Sequence, residues 1–423
     1  MKEQAGEPRA LGFPSLLALG VNGIVGVGIF FTPSKVAELV PGPAGVAVYA
    51  LTALALLPVA CVYATLGSRF DEDGGPYVWA RAAFGPGFGF AVGWIAYASA
   101  LFSTAAVVAG LSAHAAPALG LEGEHSRQVL ALICILCLSA VAASGLRPSA
   151  LVWSGITILK LLPLLALGAL FLAAKPAWPA AVAAGPAFAA PELARAALLV
   201  VFSLQGFEIV AVPAGHARRS AWTVPAATLA SLMLAAGLYV VLHAASVQAL
   251  PDLAASGSPL VDAGRAYGGA LAGRLLEIGT TVSALGIAFA MFAMTPRYLA
   301  ALGQSDALGR AIRREDSRRV PQRALWISAA LVLSLVLAGA LGELFVLSSV
   351  AVLAQYAVST AALLVLGLRR QHGLGLAQLW PAPLALGAIA LIAHAATRRE
   401  LVVAGAALVV GGMVLFLRRR LAR

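Results

Sequence analysis

The sequence predicts an all-α membrane protein of about twelve spanning helices, and three observations lead there. Hydrophobic residues make up 61% of the 423 positions and charged residues only 11%. Mean hydropathy is +0.91, well outside the range of soluble globular domains. The apolar residues fall in runs of about twenty, the length that crosses a hydrocarbon layer as a helix, and nothing alternates as a porin strand does.

Taken in order, the runs place spans at 13–39, 43–68, 86–113, 127–145, 148–174, 191–214, 222–248, 270–303, 322–339, 343–367, 380–396 and 400–418. Polar tails are expected at 1–12 and 419–423. The opening "MKEQAGEPRALGF" has no cleavable signal pattern. Between the second and third spans, "DEDGGPYVWARAAFGPGFG" (71–89) fits either a short amphipathic helix at the inner interface or a plain connecting loop.

The net charge of +11 points to orientation rather than to nucleic acid, because the basic residues cluster in alternate loops. With the N-terminus inside, 20 of the 29 lysines and arginines are cytoplasmic, 8 are outside and Lys160 is left within a span. The positive-inside rule therefore puts both termini in the cytoplasm. The arginine-rich "GRAIRREDSRRVPQR" (309–323) is then a cytoplasmic anchor. Cys61, Cys134 and Cys137 all lie in apolar runs and are read as packing residues. No metal or cofactor is implied.

Two spans are interrupted. "GVNGIVGVGIF" (20–30) carries four glycines and an asparagine inside the first, where each glycine costs about 1 kcal/mol against alanine. Local unwinding and close packing through small residues are both compatible with it. If the helix unwinds, the N–H groups near Val27 and Gly28 suit a carboxylate, and carbonyls at Gly23 and Ile24 suit an ammonium or a cation. "LLVVFSLQGFEIVAV" (198–212) breaks the sixth span with Ser203, Gln205, Gly206 and Glu208. Interrupted helices opening each of two five-helix sets are the sequence pointer to a transporter built from inverted repeats.

On these residues the chain resembles the amino acid, polyamine and organocation (APC) transporters. "GIVGVGIF" is similar to their first-helix signature and "FSLQGFEIVAVPAGHARRSAWTVP" (202–225) to their sixth. "GGPYVWARAAFGPGFGFAVGW" (74–94) and "TPRYLAALGQSDALGRAIRREDSRRVPQRAL" (295–325) fit as well, in the family's order. The resemblance implies the LeuT-type fold: repeats over 13–174 and 191–367, peripheral helices over 380–418, and helices 1 and 6 unwound at mid-membrane. It implies that N–H groups of Val27 and Gly28, with Gly26 allowing close approach, hold a substrate α-carboxylate. Carbonyls of Ile24, Phe202, Ser203 and Gln205, beside Gly206, would take the α-ammonium. Val27 stands where the family usually has a small residue.

Lys160 lies about 18 Å into its span, too deep to reach water easily. The resemblance implies that it fills the second sodium site of sodium-coupled relatives, meeting the Gly23 carbonyl and Ser283, which would make transport sodium-independent. Without titration it would be a structural pin. Glu208 is the carboxylate expected within the membrane, as proton carrier, gate or partner of freed backbone. Tyr97, Trp94, Phe289 and Met291 are at depths that could wall a side-chain pocket, with core packing the other reading of each, while Glu277 and Glu343 are expected in solvent. His243 and His394 are expected to be packed and hydrogen-bonded. The function expected is secondary transport of neutral L-amino acids, by proton symport or exchange, in the cell (inner) membrane, with an exporter or antiporter of polyamines or other organic amines as the alternative. No HExxH, GxSxG, phosphate loop or repeated filter sequence supports an enzyme or a channel.

Overall fold

The computed structural model describes residues 11–72, 74–121, 123–145, 150–174, 189–302, 310–318, 320–339 and 341–421. Of the residues in the charge count, Lys2, Arg9, Arg147, Lys175, Arg319 and Arg423 lie outside them, as does most of the expected N-terminal tail.

Every apolar run forms helix. The first is divided between α1 (Phe13–Ile24) and α2 (Gly28–Leu39), which meet at a 43° bend. There follow α3 (Pro43–Gly67), α4 (Pro76–Phe84), α5 (Pro86–Ala118), α6 (Glu124–Ala143), α7 (Ala150–Ala173), α8 (Ala190–Leu204) and α9 (Ser220–Ala249). The chain finishes with α10 (Pro259–Leu302), α11 (Gln322–Ala338), α12 (Leu341–Leu368), α13 (Pro381–Ala393) and α14 (Arg398–Leu421). Among the described residues, 7 helices are long and apolar enough to cross a membrane, or 8 if the bent pair counts as one span. The chain is thus a multi-pass membrane protein. Leu51 and Leu54 of α3, Ile133 and Leu136 of α6 and Leu162 and Leu165 of α7 turn outward, which hydrocarbon tolerates and water does not.

One element departs from the pattern read in the runs. The segment before the eighth span is itself helical: α10 begins at Pro259 and folds sharply at Gly268 and Gly269, where Gly269 has φ +67°. Only glycine enters that region without strain. Across the fold Gly273 receives Arg265, whose Cγ would be 2.2 Å from an added β-carbon. Of the two readings of 71–89 the short helix is the one found: α4, whose apolar side is covered by protein. Val78, Trp79 and Ala83 are buried, and Trp79 meets the Tyr63 ring edge-on at 5.1 Å.

Packing converges on a few pairs. α3 lies on α9, α5 on α10 and on α12, α7 on α10, α1 on α9, α3 on α8, and α6 on α11. The arginine-rich loop also has a structural part: Asp316 accepts from the Gln322 side chain (2.8 Å) and from the N–H groups of Val320 (3.0 Å) and Arg318 (2.9 Å). Those bonds, the one from Gln322 foremost, hold its carboxyl below the usual carboxylate range. Gln322 also donates to the Ala143 carbonyl at 2.9 Å, tying the start of α11 to the end of α6.

The last helix is fastened by charge. Arg195 of α8 makes a two-pronged pair with Glu400 of α14, at 2.6 Å and 2.5 Å, and the Glu400 side chain is only 5% exposed. Paired guanidinium and carboxylate planes are the strongest side-chain geometry available, and removing one partner strands the other. Arg195→Ala should therefore lower stability by about 2–3 kcal/mol, seen as a lower melting temperature of the protein in detergent. Arg399→Ala, which removes the exposed partner of Glu343 at 3.0 Å, should leave the melt within about 0.5 kcal/mol.

Candidate functional site

In the first span the helical ladder stops and restarts. The last bond of α1 runs from Val25 N–H to the Val21 carbonyl (2.8 Å), Val25–Val27 is a bend, and the next bond runs from Phe30 N–H to the Val27 carbonyl (3.1 Å). The N–H groups opening α2 lie outside the ladder, as at any helix start, and no side chain caps them. Side chains from other helices take the freed carbonyls. Lys160 Nζ of α7 donates to the Val25 carbonyl (2.7 Å) and the Asn22 carbonyl (3.3 Å), and the lysine is 2% exposed. Tyr239 of α9 donates to the Ile24 carbonyl (2.9 Å); within α2 itself, Thr32 donates to that of Gly28 (2.9 Å).

The expected contacts of Lys160 are corrected in register. Its carbonyls are those of Asn22 and Val25, three residues apart and so on one side of the turn, while Gly23 faces another direction. Gly23 presses on the second break, where an added β-carbon would lie 2.4 Å from Ile209 Cδ1 and 2.8 Å from the Gly206 carbonyl oxygen. Ser283 of α10 is fully buried, but its Oγ has no hydrogen-bond partner among the described residues, so it is not bonded to Lys160.

The sixth span breaks differently. α8 ends at Leu204, Gln205 is extended (φ −65°, ψ 154°) and Gly206 has φ +123°, after which Phe207–Ala211 is a 3-10 turn and not α-helix. Glu208 bends back to accept from the Gly206 N–H (2.7 Å) and from the Tyr356 hydroxyl of α12 (2.9 Å). One carboxylate therefore both closes the break and ties it to α12.

The two breaks touch. A β-carbon on Gly206 would lie 2.4 Å from the Gly23 carbonyl carbon, and one on Gly28 would lie 2.7 Å from Ser203 Cα. The Ser203 hydroxyl meets Thr32 (2.8 Å), which meets Tyr49 of α3 (2.6 Å). Ile24, Gly26, Val27 and Gly28 are thus brought beside Ser203 and Gly206, with Phe202 and Gln205 flanking the junction. Gly26 faces α10, where Ile287 Cδ1 would be 2.9 Å from an added β-carbon. Phe202 stacks on Phe345 of α12, ring centroids 4.3 Å apart.

The expected pocket wall divides. Tyr97 is buried and bonded to Ser328 of α11 (3.0 Å). Trp94 faces the peripheral helix, its Cδ1 2.3 Å from where a β-carbon on Gly411 would sit. Both therefore serve packing with α11 and α14. Phe289 and Met291 are half-buried on α10. Away from the junction, Glu277 and Glu343 are partly exposed, as expected, with side chains 44% and 37% accessible. His243 is buried against Tyr49 (4.7 Å), but neither ring nitrogen has a partner among the described residues, contrary to the expected hydrogen bond. His394 is exposed, because α13 ends one residue before it. Sequence reading also missed Thr32, Tyr49, Tyr239, Phe345 and Tyr356. For Thr32, Tyr49, Tyr239 and Tyr356, hydroxyls recurring within apolar helices were the available signal; Phe345 carried none.

A bundle of apolar helices with two touching interruptions, carbonyls of the first and an N–H of the second held by side chains, defines a multi-pass protein with a backbone-lined polar centre inside its core. A family profile described as Amino acid permease matches residues 11–410. The chain belongs to that family, whose members are transporters and not enzymes, with a small-molecule amino acid substrate. It is similar to an uncharacterized transporter of Mycobacterium tuberculosis, 27% identical over 368 residues, covering 85% of this chain and 81% of the relative. It is 26% identical to the branched-chain amino acid permease BcaP of Lactococcus lactis over 336 residues, 74% of this chain and 72% of that one. It is 25% identical to the arginine/ornithine antiporter of Pseudomonas aeruginosa over 351 residues, 78% and 70% of the two chains.

Gly206 combines a positive φ with a contact that leaves no room for a side chain. Gly206→Ala should abolish uptake and lower stability by about 2–3 kcal/mol, measured by transport in vesicles and by thermal unfolding in detergent. Gly387→Ala on α13, where nothing lies within 4 Å of an added β-carbon, should leave both unchanged.

Proposed function

We propose that this chain is a sodium-independent secondary transporter of neutral L-amino acids, working by proton symport or exchange, with access alternating around the two helix breaks. The observation that carries the reading is the junction itself, where Gly28 packs on Ser203 and Gly206 on Gly23. The N–H groups of Val27 and Gly28, at the positive end of α2 and with Gly26 leaving space, take the α-carboxylate. Carbonyls of Ile24, Phe202, Ser203 and Gln205 take the α-ammonium; those from α8 stand at its negative end, and that of Ile24 is shared with Tyr239.

Two five-helix repeats, 13–174 and 191–367, followed by peripheral helices over 380–418, are supported by the packing pairs. Exchanging spans 1–5 with spans 6–10 turns the contact of α1 with α9 into that of α8 with α3, and the contact of α7 with α10 into that of α12 with α5. The contacts of α3 with α9, α5 with α10 and α6 with α11 map onto themselves. An odd number of spans per repeat makes the second repeat enter from the opposite side, so such repeats are inverted. With both termini cytoplasmic, this is the twelve-span LeuT-type arrangement in the cell (inner) membrane, helices 1 and 6 unwound at mid-depth.

Lys160, donating to the carbonyls of Asn22 and Val25, supplies a fixed cation where sodium-coupled relatives bind sodium. Glu208 couples or gates: a change in its protonation acts directly on the Gly206 N–H and the Tyr356 hydroxyl. The likeness to the arginine/ornithine antiporter favours a second reading, exchange of cationic amino acids or organic amines. That requires a carboxylate free to meet a second positive charge, and Glu208 is already engaged twice. Neutral substrates, the kind named for the branched-chain relative, fit the junction better.

The test is uptake of a labelled amino acid panel by proteoliposomes, with sodium, the proton gradient and internal substrate varied one at a time. Neutral amino acids should enter at the same rate when sodium is replaced by choline. Lys160→Ala should cut uptake roughly tenfold or more, the scale of losing buried charge-assisted hydrogen bonds of about 1.5–3 kcal/mol each. Uptake that demands sodium would overturn the role given to Lys160.

A further inference from the structure

Three helices meet at one side chain that the backbone reading leaves unused. Gln205, at the break in the sixth span, sends its amide between Ser103 of α5 and Ser348 of α12. Its Nε2 donates to Ser348 Oγ at 2.9 Å and to Ser103 Oγ at 3.1 Å. The two hydroxyls are themselves 2.6 Å apart. The other end of the amide, Oε1, is buried and has no hydrogen-bond partner among the described residues.

A buried amide oxygen left unpaired is costly, and such groups in native proteins are commonly completed by water or by a ligand. Position favours a ligand. Gln205 is adjacent to the positive-φ Gly206 and two residues from Ser203, which packs on Gly28. On the same side Phe202 stacks on Phe345, three residues before Ser348 on α12. The amide thus stands between the backbone groups assigned to the α-carboxylate and α-ammonium and an aromatic wall, where a substrate side chain begins.

We propose that Gln205, braced by Ser103 and Ser348, selects amino acids whose short side chain carries a hydroxyl over those of the same shape without one. The proposal rests on the amino acid reading of the junction given above. A hydroxyl both donates and accepts, so it completes the amide whichever way round the oxygen and nitrogen lie. A methyl in its place leaves the buried group unsatisfied, and sites built to hydrogen-bond a substrate hydroxyl discriminate strongly against analogues lacking it. Ser103 and Ser348 are positioning residues: they hold the amide in one rotamer and do not themselves meet the substrate.

Threonine and valine are the matched pair that tests this, being nearly equal in shape, and serine with alanine is the second pair. In proteoliposomes holding the full-length protein, kcat/KM for threonine should exceed that for valine about tenfold or more. In Gln205→Met, which keeps length and removes the amide, that ratio should fall to about one, whatever the change in the rate common to all substrates. Ser348→Ala should lower the ratio part of the way. A thermal melt of each variant accompanies the assay, and the wild-type ratios decide the question even if a variant fails to fold. A threonine to valine ratio near one in the wild type, or one that Gln205→Met leaves unchanged, overturns the selection while leaving amino acid transport standing. If no amino acid of either kind accumulates or exchanges, the transport reading falls and the selection with it.

Discussion

Everything at the centre of this molecule follows from the cost of a bare peptide group in hydrocarbon. A helix satisfies its own backbone, so a chain crossing a bilayer can interrupt one only where other groups complete the exposed N–H and C=O. The interruption between Ile24 and Gly28 is completed from two other helices, by Lys160 of α7 on the Asn22 and Val25 carbonyls and Tyr239 of α9 on that of Ile24, and within α2 by Thr32 on Gly28. That requirement determines which helices must surround the first span. It also explains why a lysine is stable there with 2% exposure, since carbonyl dipoles stand in for the water it has lost.

The second break is completed more locally, and the difference has mechanical consequences. Glu208 folds back on Gly206 and reaches Tyr356, so the short 3-10 turn after the break is anchored to α12 by one carboxylate. The first break is braced from α7 and α9 and the second from α12, and the two meet through close glycine contacts, Gly23 with Gly206 and Gly28 with Ser203, and through the hydrogen bond between Ser203 and Thr32. On the alternating-access reading proposed above, these glycine contacts and that one polar bond are what a relative movement of the two breaks would have to change.

Much of the architecture was legible because the bilayer imposes a length. Each predicted span has its helix, and the glycines at 20–28 and the Gln205-Gly206 pair mark the interruptions where they occur. Less of the site could be read. The lysine was identified by depth alone, but its carbonyl partners were displaced from Gly23, since which carbonyls face α7 depends on the rotation of α1 about its axis. Trp94 and Tyr97 have the depth of pocket residues and yet face α14 and α11. Depth along a helix is a property of the sequence, whereas direction around it is set by the neighbours.

By itself, then, the sequence determined that this is a multi-pass helical membrane protein, where its helices run and where two of them fail, because hydrophobic length and glycine content act locally along the chain. The tertiary structure alone decided that the two failures meet, that Gln205 is braced by serines from α5 and α12, and that Arg195 reaches across to Glu400. Those contacts join residues up to 205 positions apart. No local preference encodes them; they arise from how apolar helices must pack to leave no polar group uncovered.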